Sequence, residues 1–362
     1  MIMAGIEGLR LSKKERKFLR EVRPAGVVYF KRNVRSPGQL RALSREIRKI
    51  LGPGALIGID QEGGRVARLG PPFTLFPGND HLGRIFDRTG RTNLAVAQAK
   101  AMASELRAIG VNFNLIPVAD VDSNPKNPVI GSRSFGRKPK HVAKLVAATV
   151  RACREAGILC CAKHFPGHGD TSTDSHYVLP VVRGSKRTIF TRELPPFRAA
   201  IRAGVPTMMS AHVIYPALDR KNSATLSSAI MKGLLRKKLG FRGVMVSDDL
   251  EMNAIALHSS VPEAGVRALK AGCDLLLLVK SLDLAWATYK RIAAALRCGE
   301  LTETEAAASF ARIGRLQKFV AHRAIKSLPR GSAYWPKHAK LAKKIEKLGG
   351  EVEPENFLGD GS

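Results

Sequence analysis

Short apolar runs alternate along the chain with longer amphipathic stretches, and this alternation predicts the fold. The apolar runs are continuous and rich in β-branched residues, which is typical of strands buried on both faces of a parallel sheet. Seven runs fit this description: 25–30, 55–60, 111–120, 158–165, 206–213, 243–249 and 274–279. The stretches between them predict helices over 91–109, 139–156, 191–203, 227–239, 262–271 and 282–298.

Glycine ends five of the predicted helices just before the next strand. These glycines are Gly110, Gly157, Gly204, Gly240 and Gly272. Because glycine in that place is a helix C-cap signal, the strand–helix units are well delimited and predict a parallel sheet. Seven strands, with an eighth still unrecognised, favour an α/β fold of the (β/α)8 TIM-barrel type. An open doubly wound sheet is the alternative, but no GxGxxG motif follows the first strand.

The strand–helix pattern stops near Leu328. Three residues that interrupt helices come next: Pro329, Gly331 and Pro336. A lysine-rich stretch, 337–347, then predicts a basic amphipathic helix, and 349–362 has the composition of a disordered end. We therefore predict a barrel catalytic domain over 1–328 and a basic, partly disordered extension over 329–362.

The chain of 362 residues carries a formal net charge of +30. Such a charge predicts attraction to anionic molecules but does not bear on the fold. Lys and Arg are spread along the chain, with denser runs only at 13–20 and 337–347, and spread charge is typical of a solvated surface. Aromatic residues make up only 6%, and no aromatic-rich basic stripe is present. We therefore expect no dedicated nucleic-acid or membrane partner, although the tail could bind nucleic acid as a secondary property.

The cysteines indicate a reducing compartment. They are Cys153, Cys160, Cys161, Cys273 and Cys298, an odd number without a CxxC pair. The first residues, MIMAGIEGLRLSKKERK, have no apolar stretch typical of a signal peptide, and no run of about 18 apolar residues follows. These features predict a cytoplasmic protein, which we expect to be a monomer.

Polar residues interrupt the apolar runs at their C-terminal ends. They are Asp60, Asp120, Lys163, His164, His212, Asp248 and Asp249. A parallel barrel brings all the C-terminal strand ends to one face, where barrel enzymes keep their active sites. A single Asp or His at such a place often caps the next helix, but so many together predict a catalytic face.

One loop combines several titratable groups. Residues 163–176 read KHFPGHGDTSTDSH, which places three histidines and two aspartates in a loop rich in small residues. Histidine can give and take a proton near neutral pH. Asp174 lies two residues before His176, where a carboxylate can fix the imidazole tautomer and stabilise its protonated form.

The end of the run at 243–249 offers a candidate nucleophile. Asp248 follows an apolar strand directly, and a carboxylate buried at a barrel mouth suits that role. Asp249 is a candidate cap for the following helix, and the residues alone do not choose between the two. Arg68 and Arg133 are candidate binding residues because arginine offers a planar fork of donors, whereas Arg65 is interpreted as a surface residue.

The loop and the strand ends together resemble a known family. KHFPGHGDTSTDSH at 163–176 is similar to the hallmark of family 3 glycoside hydrolases, in the bacterial β-N-acetylhexosaminidase branch of peptidoglycan recycling. The resemblance extends over about residues 20 to 300 through several further segments. They are VVYFKRN, IGIDQEGGRVARL, NFNLIPVADV, IGSRSFG, SAHVIYP and GFRGVMVSDDLEM.

This resemblance implies a role for each matching residue. Asp248, the first Asp of SDDL, matches the nucleophile, His176 matches an unusual histidine acid/base, and Asp174 matches its dyad partner. The positions that match residues holding the terminal sugar and its N-acetyl group are Asp60, Arg68, Arg133, Lys163 and His164.

The resemblance also implies the reaction. It implies a retaining enzyme that releases terminal β-1,4-linked N-acetylglucosamine from muropeptides through a covalent glycosyl-enzyme. It implies a single barrel domain and neither cofactor nor metal, with a small muropeptide or N-acetylglucosaminide as the binding partner. The basic tail and the high positive charge depart from the family's pattern.

A metal-dependent hydrolase is the alternative reading of the strand ends. His164, His168, His212 and Asp248 resemble a ligand set for zinc or a similar ion. The sequence lacks the paired HxH on an early strand that would favour this alternative.

Overall fold

The computed structural model describes residues 1–174, 179–323, 325, 327–328 and 335–350, and in these residues eight parallel strands close into a barrel. In chain order they are β1 Ile2–Gly5, β2 Gly26–Tyr29, β3 Leu56–Ile59, β4 Phe113–Asn114, β5 Leu159–Phe165, β6 Thr207–Ser210, β7 Val244–Asp249 and β8 Leu275–Leu278. Strand β1 pairs with both β2 and β8, which closes the ring. The predicted (β/α)8 TIM barrel is confirmed, and the open doubly wound sheet is excluded.

The eighth strand, which the apolar pattern did not reveal, is β1. It has only four residues, two of them Ala and Gly, so its own strand propensity is low. Tertiary contacts select it, because Ile2 pairs with Leu276 and Met3 pairs with Gly26. Gly5 packs so closely that a Cβ there would lie 2.0 Å from the Val279 carbonyl oxygen. The closed ring therefore supplies what the local sequence lacks.

Strand β4 is much shorter than the apolar run 111–120. Regular pairing covers only Phe113 and Asn114. Pro117 has no backbone N–H to donate, so the ladder is interrupted before Val118 bridges to Lys163. A continuous apolar run thus overestimates the length of this strand.

The helices fill the connections on the outside of the barrel. They are α1 Lys13–Val22, α2 Pro37–Leu51, α3 Asn79–Thr89, α4 Asn93–Ala108, α5 Pro139–Ala156, α6 Leu194–Arg202, α7 Val261–Ala271, α8 Leu282–Arg297, α9 Glu303–Ala321 and α10 Pro336–Gly349. Two π-helical segments, Ile189–Glu193 and Ala229–Lys238, precede α6 and β7 respectively. The predicted helices are all present with shifted ends, whereas α1, α2, α3 and α9 were not predicted.

Apolar side chains form two packed layers. One fills the interior of the barrel and includes Met3, Val28, Leu56, Phe113, Leu159, Cys161, Met209, Val246 and Leu277. The other lies between the strands and the surrounding helices. Ile313, Leu316 and Val320 of α9 join the interior layer, so α9 covers one end of the barrel. These two layers determine which strand residues face the barrel axis.

The predicted basic helix is present as α10 and packs against the barrel's outer helices. Its Ala342 and Ile345 are buried, and its helix contacts α3 and α4. His338 lies 2.8 Å from the Glu105 carboxylate, and the Trp335 ring stacks on Phe73. The division into 1–328 and 329–362 stays a prediction, and residues 351–362 lie outside the described part of the chain. In the described part, no helix has the length and apolar character needed to cross a membrane.

Candidate active site

Three of the predicted residues, at or just after the ends of their strands, point toward the interior of the barrel. Side chains alternate between the two faces of a strand. Leu159 and Cys161 face the barrel interior, so Lys163 continues that column to the rim of β5. By the same alternation, Leu56 leads to Asp60 just after β3. The register of β7 shifts between Val246 and Asp249, but the charge of Asp248 acts on the interior-facing Cys161 thiol, so Asp248 also lies toward the barrel interior. The barrel therefore points these three charged side chains toward its axis.

A buried ion network joins the ends of β3 and β5 to the loop after β4. Lys163 Nζ lies 2.6 Å from Asp60 Oδ1 and 2.7 Å from Glu62 Oε1. Arg133 donates from Nε and Nη2 to the two oxygens of Glu62, each at 2.9 Å. Arg68 Nη2 lies 3.8 Å from Asp60 Oδ2, at the more exposed edge of the network. Four of the predicted binding residues are thus assembled around one carboxylate, Glu62, that was not predicted.

The network keeps its charges although it is almost dry. The side chain of Glu62 is 0% exposed and that of Lys163 is 3% exposed. Burial alone would neutralise both, but Arg133 and Lys163 hold the pKa of Glu62 well below its usual range. Burial likewise disfavours the Lys163 ammonium, but Asp60 and Glu62 overcome this and raise its pKa. The site therefore presents fixed charges that need no water for compensation.

A second buried group orients the two histidines at the start of the loop. Asp120 accepts hydrogen bonds from the backbone N–H of His168 at 2.7 Å and from His164 Nδ1 at 2.7 Å. Because Asp120 is a carboxylate that only accepts, the proton of His164 lies on Nδ1. Burial and the neighbouring His164 lower the pKa of His168 to about 4, so the His168 ring is neutral near pH 7.

The structure separates Asp248 from Asp249. Asp249 follows a register shift in β7 and is buried, and its carboxylate accepts from the Glu251 backbone N–H at 3.2 Å. Burial, with the negative charges of Glu251 and Asp248, raises the pKa of Asp249 to about 7. Asp248 is half-buried, and its Oδ1 accepts from the Asp249 backbone N–H at 2.9 Å. A nucleophile must be reachable by substrate, so Asp248, the less buried of the two carboxylates, is the better candidate.

Asp248 lies electrostatically close to the ion network. Burial raises the pKa of the Cys161 thiol to about 12, and that thiol also senses the charges of Lys163, Asp60 and Asp248. The charge of Asp248 likewise reaches His168 on the loop. Residues from β3, β5 and β7 and the base of the loop therefore share one region of the barrel rim.

The loop after β5 is tightly packed at its base. A Cβ on Gly169 would lie 1.6 Å from the Val121 carbonyl oxygen, and Gly167 lies at φ +131° against Glu193. Both positions therefore require glycine. Asp174 follows in the loop and is half-buried. His176, the predicted acid/base, lies outside the described residues, so its distance from Asp248 stays a prediction.

Comparison with known proteins decides the family. The sequence profile described as "Glycosyl hydrolase family 3 N terminal domain" matches residues 1–316. This chain belongs to glycosyl hydrolase family 3. The prediction of the family from the loop and strand-end motifs is confirmed, and the protein is a glycosidase.

Relatives of this family 3 glycosidase share most of its length. A beta-hexosaminidase of Neisseria meningitidis serogroup C is 38% identical over 287 residues, which cover 78% of this chain and 79% of the relative. A family 3 beta-N-acetylglucosaminidase from Paenibacillus sp. has a solved structure with a TM-score of 0.92 and 40% identity, covering 99% of this chain and 69% of that one. The structure of NagZ from Neisseria gonorrhoeae in complex with N-trifluoroacetyl-D-glucosamine has a TM-score of 0.74 and 34% identity. The match covers 87% of this chain and 97% of that one.

The metal-dependent alternative is not favoured for this family 3 glycosidase. His212 Nε2 donates to the Asp249 carbonyl oxygen at 2.9 Å, and Nδ1 bonds Thr225 Oγ1 at 2.8 Å. Both ring nitrogens of His212 are therefore occupied within the protein. Across the described ranges, no group of three or more His, Cys, Asp or Glu side chains is placed to hold a metal ion.

Sequence reasoning missed the functional importance of Glu62 and interpreted Arg65 as a surface residue. Glu62 lies on a small hairpin strand, Gln61–Gly63, and its only sequence signal was the family-like segment around it. Arg65 is half-buried and donates to the Val129 carbonyl oxygen. Both residues stabilise the loops that surround the ion network.

Proposed function

We propose that this glycosidase is a retaining β-N-acetylhexosaminidase that removes terminal, non-reducing β-1,4-linked N-acetylglucosamine from peptidoglycan-derived muropeptides. The observation that carries the proposal is the half-buried Asp248 at the rim, beside the charged network of Lys163 and Asp60. The names of the relatives, a beta-hexosaminidase and a beta-N-acetylglucosaminidase, support this substrate class.

In the proposed reaction Asp248 attacks the anomeric carbon. The bond to the leaving oxygen breaks, and His176 gives its proton to that oxygen, so a glycosyl-enzyme ester and a free aglycone form. His176 then takes a proton from water, whose oxygen displaces Asp248 from the sugar. Two inversions at one carbon give net retention. Asp174 holds the imidazole in the productive tautomer and stabilises its protonated form.

The buried network is proposed to hold the terminal sugar. Asp60 keeps an oxygen, Oδ2, whose distance to Arg68 Nη2 is 3.8 Å, too long for a hydrogen bond, so it can accept from a sugar hydroxyl. Lys163 uses two of its three N–H donors in the network and has one left for substrate. Arg133 is held by Glu62, and His164 is fixed through Nδ1, which leaves Nε2 for a sugar hydroxyl or the N-acetyl group.

We further propose that the enzyme works in the cytoplasm on fragments recovered from the cell wall. The five cysteines are all free thiols, which fits a reducing compartment. Muropeptides carry carboxylates, so a protein of net charge +30 would attract them and accelerate encounter. We expect kcat/KM on an anionic muropeptide to fall as salt rises, and kcat/KM on neutral diacetylchitobiose to change little. A kcat/KM on the muropeptide that does not depend on salt would contradict electrostatic steering but would leave the proposed reaction unaffected.

Hydrolysis of chromogenic β-glycosides tests the proposal. We expect turnover of the aryl β-N-acetylglucosaminide and little turnover of the matching β-glucoside, since the latter lacks the N-acetyl group. Proton NMR of the first product should show the β-anomer, because the mechanism retains configuration. An α-anomer as first product, or equal rates on both glycosides, would contradict the proposal.

A further inference from the structure

A buried carboxyl group that the mechanism does not use lies beneath the loop. Glu193 ends the π-helical segment Ile189–Glu193 just before α6, and its side chain is 0% exposed. Its Oε1 accepts from Arg192 Nε at 2.6 Å and from Ser123 Oγ at 3.5 Å. Its Oε2 is buried and has no hydrogen-bond partner among the described residues. A buried polar atom of this kind is costly, so it calls for an explanation.

The position of Glu193 against the loop supplies one. A Cβ on Gly167 would lie 2.8 Å from both Cβ and Oε2 of Glu193, so the carboxyl side chain packs directly on the loop backbone. Arg192 extends from Glu193 to the loop itself, because its Nη2 lies 2.5 Å from Asp170 Oδ2. One guanidinium thus connects the start of α6 to a loop residue four positions before Asp174.

Other contacts complete the fixed base of this loop. The Tyr215 hydroxyl donates to the Gly167 carbonyl oxygen at 2.6 Å, and Asn127 Nδ2 donates to the His168 carbonyl oxygen at 2.8 Å. Asn124 Nδ2 donates to the Thr171 carbonyl oxygen at 3.0 Å. Ser172 and Thr173, which come next, are exposed. These contacts fix the base of the loop at residues 167–171, shortly before Asp174 in the sequence.

We propose that Arg192 and Glu193 are positioning residues that fix the base of the loop on which Asp174 and His176 lie in the sequence. The inference rests on the proposed function, because it assigns proton transfer to this loop. The two residues do not touch substrate; they act through Gly167 and Asp170. Burial, with the negative charges of Asp120 and Asp170 opposing that of Arg192, raises the pKa of Glu193 to about 7, which agrees with a strained, sparsely solvated contact.

The effect of leaving-group basicity on kcat/KM tests this role. A dinitrophenyl glycoside leaves without protonation, whereas the alcohol oxygen of diacetylchitobiose must be protonated. We expect Arg192→Met to lower kcat/KM on diacetylchitobiose by about 10- to 100-fold, since small misplacement of a catalytic group has effects of this size. We expect the same variant to keep kcat/KM on the dinitrophenyl glycoside close to wild type. A merely structural role would lower both values by the same factor.

The matched control is Arg198→Met. Arg198 is a half-buried arginine on α6 whose guanidinium lies over the Phe190 ring rather than on the loop. We expect it to behave as wild type on both substrates. Glu193→Gln and Asp170→Asn remove the negative charges of the two partners of Arg192 and should cause a smaller loss of the same selectivity. They provide the test if Arg192→Met is too unstable to assay.

The possible failures are distinguishable. An inactive wild type would overturn the proposed function, and equal losses for His176→Ala on the two substrates would overturn the acid/base assignment. If wild type and His176→Ala behave as expected but Arg192→Met, Glu193→Gln and Asp170→Asn lose no selectivity, the positioning role of Arg192 and Glu193 is wrong.

Discussion

The ion network around Glu62 and the loop after β5 differ in how they hold their charged side chains. The network is built on strand ends, and its charges are paired at 2.6–2.9 Å in nearly complete burial. The loop is fixed at its base through Gly167, Asp170 and Thr171, and the next two residues, Ser172 and Thr173, are exposed. One region is therefore built of buried, paired charges on strand ends, whereas the other continues from its anchored base into exposed residues before Asp174.

This difference separates sugar binding from proton transfer. A preorganised network can hold a neutral sugar without rearranging, because its electrostatics are already satisfied. Protonation of the leaving oxygen matters most for a poor leaving group, so the proposed roles of Asp174 and His176 should depend on the substrate. We expect changes in the network to affect all substrates alike, and changes in the loop to depend on the leaving group.

The largest expected effect lies at the rim between the two regions. Asp248→Ala removes the proposed nucleophile and should lower kcat by about 10⁴- to 10⁶-fold, as for other nucleophile deletions. Steady-state kinetics on an aryl N-acetylglucosaminide measures it. Asp249→Asn is the matched control, since its carboxyl is buried and held by the Glu251 backbone N–H, and the loss should be far smaller. Similar losses for both variants would contradict the assignment of the nucleophile to Asp248.

The next effect distinguishes the loop from the network directly. His176→Ala should lower kcat/KM on diacetylchitobiose by about 10²- to 10⁴-fold, the usual range for general acid catalysis, with little effect on a dinitrophenyl glycoside. Asp60→Asn should lower kcat/KM on both substrates by a similar factor, because it weakens sugar binding. If Asp60→Asn lowered kcat/KM much more on one substrate than on the other, the proposed separation of sugar binding from proton transfer would be wrong.

A stability measurement tests how strongly the network depends on its central carboxylate. Glu62→Gln leaves Lys163 and Arg133 with an uncompensated buried charge and should lower the free energy of unfolding by about 3 kcal/mol. The control is Glu305→Gln, whose pair with Lys232 has the same 2.7 Å distance but is 42% exposed at the carboxylate. We expect the control to cost less than about 1 kcal/mol in urea unfolding. Equal costs would mean that burial does not set the strength of this network.

The smallest expected effect is a change in the pH dependence of stability at the loop base. The pKa of Glu193 is about 7 in the folded protein against 4.5 ordinarily. A raised folded pKa gives stability that is fully present below pH 4.5 and is lost as pH rises toward 7. Over that pH window, we expect the free energy of unfolding of Glu193→Gln to fall by about 2 kcal/mol less than that of wild type. Thermal melts across pH measure it, and Glu155→Gln, on an exposed pair with Lys100, should keep the wild-type slope. An unchanged slope for Glu193→Gln would contradict the proposed burial of this carboxyl.

Much of the barrel could be predicted from the sequence because its strands are buried on both faces. The same property hides the orientation of each strand, since inward and outward residues are equally apolar. This is why the sequence left Asp248 and Asp249 open, whereas the structure separates them by burial, since Asp248 is half-buried and Asp249 is buried. Strand β1 was missed for a related reason: tertiary pairing, not its own four residues, makes it a strand.

The candidate site was predictable where side chains lie at strand ends, and less so elsewhere. Lys163 and Asp60 follow apolar runs and meet because parallel strands end on one face. Glu62 reaches the same place from a two-stranded hairpin, and Glu193 reaches the loop from a π-helical turn. No periodicity marks either position, because both contacts arise from loop geometry in three dimensions.

Identification of the residue that becomes covalently attached to the sugar tests the central claim most directly. A 5-fluoro N-acetylglucosaminyl fluoride should form a slowly hydrolysed glycosyl-enzyme, and peptide mass spectrometry after proteolysis locates the attached sugar. We predict one sugar per chain, on Asp248. Attachment to Asp249, or turnover without any covalent species, would contradict the account.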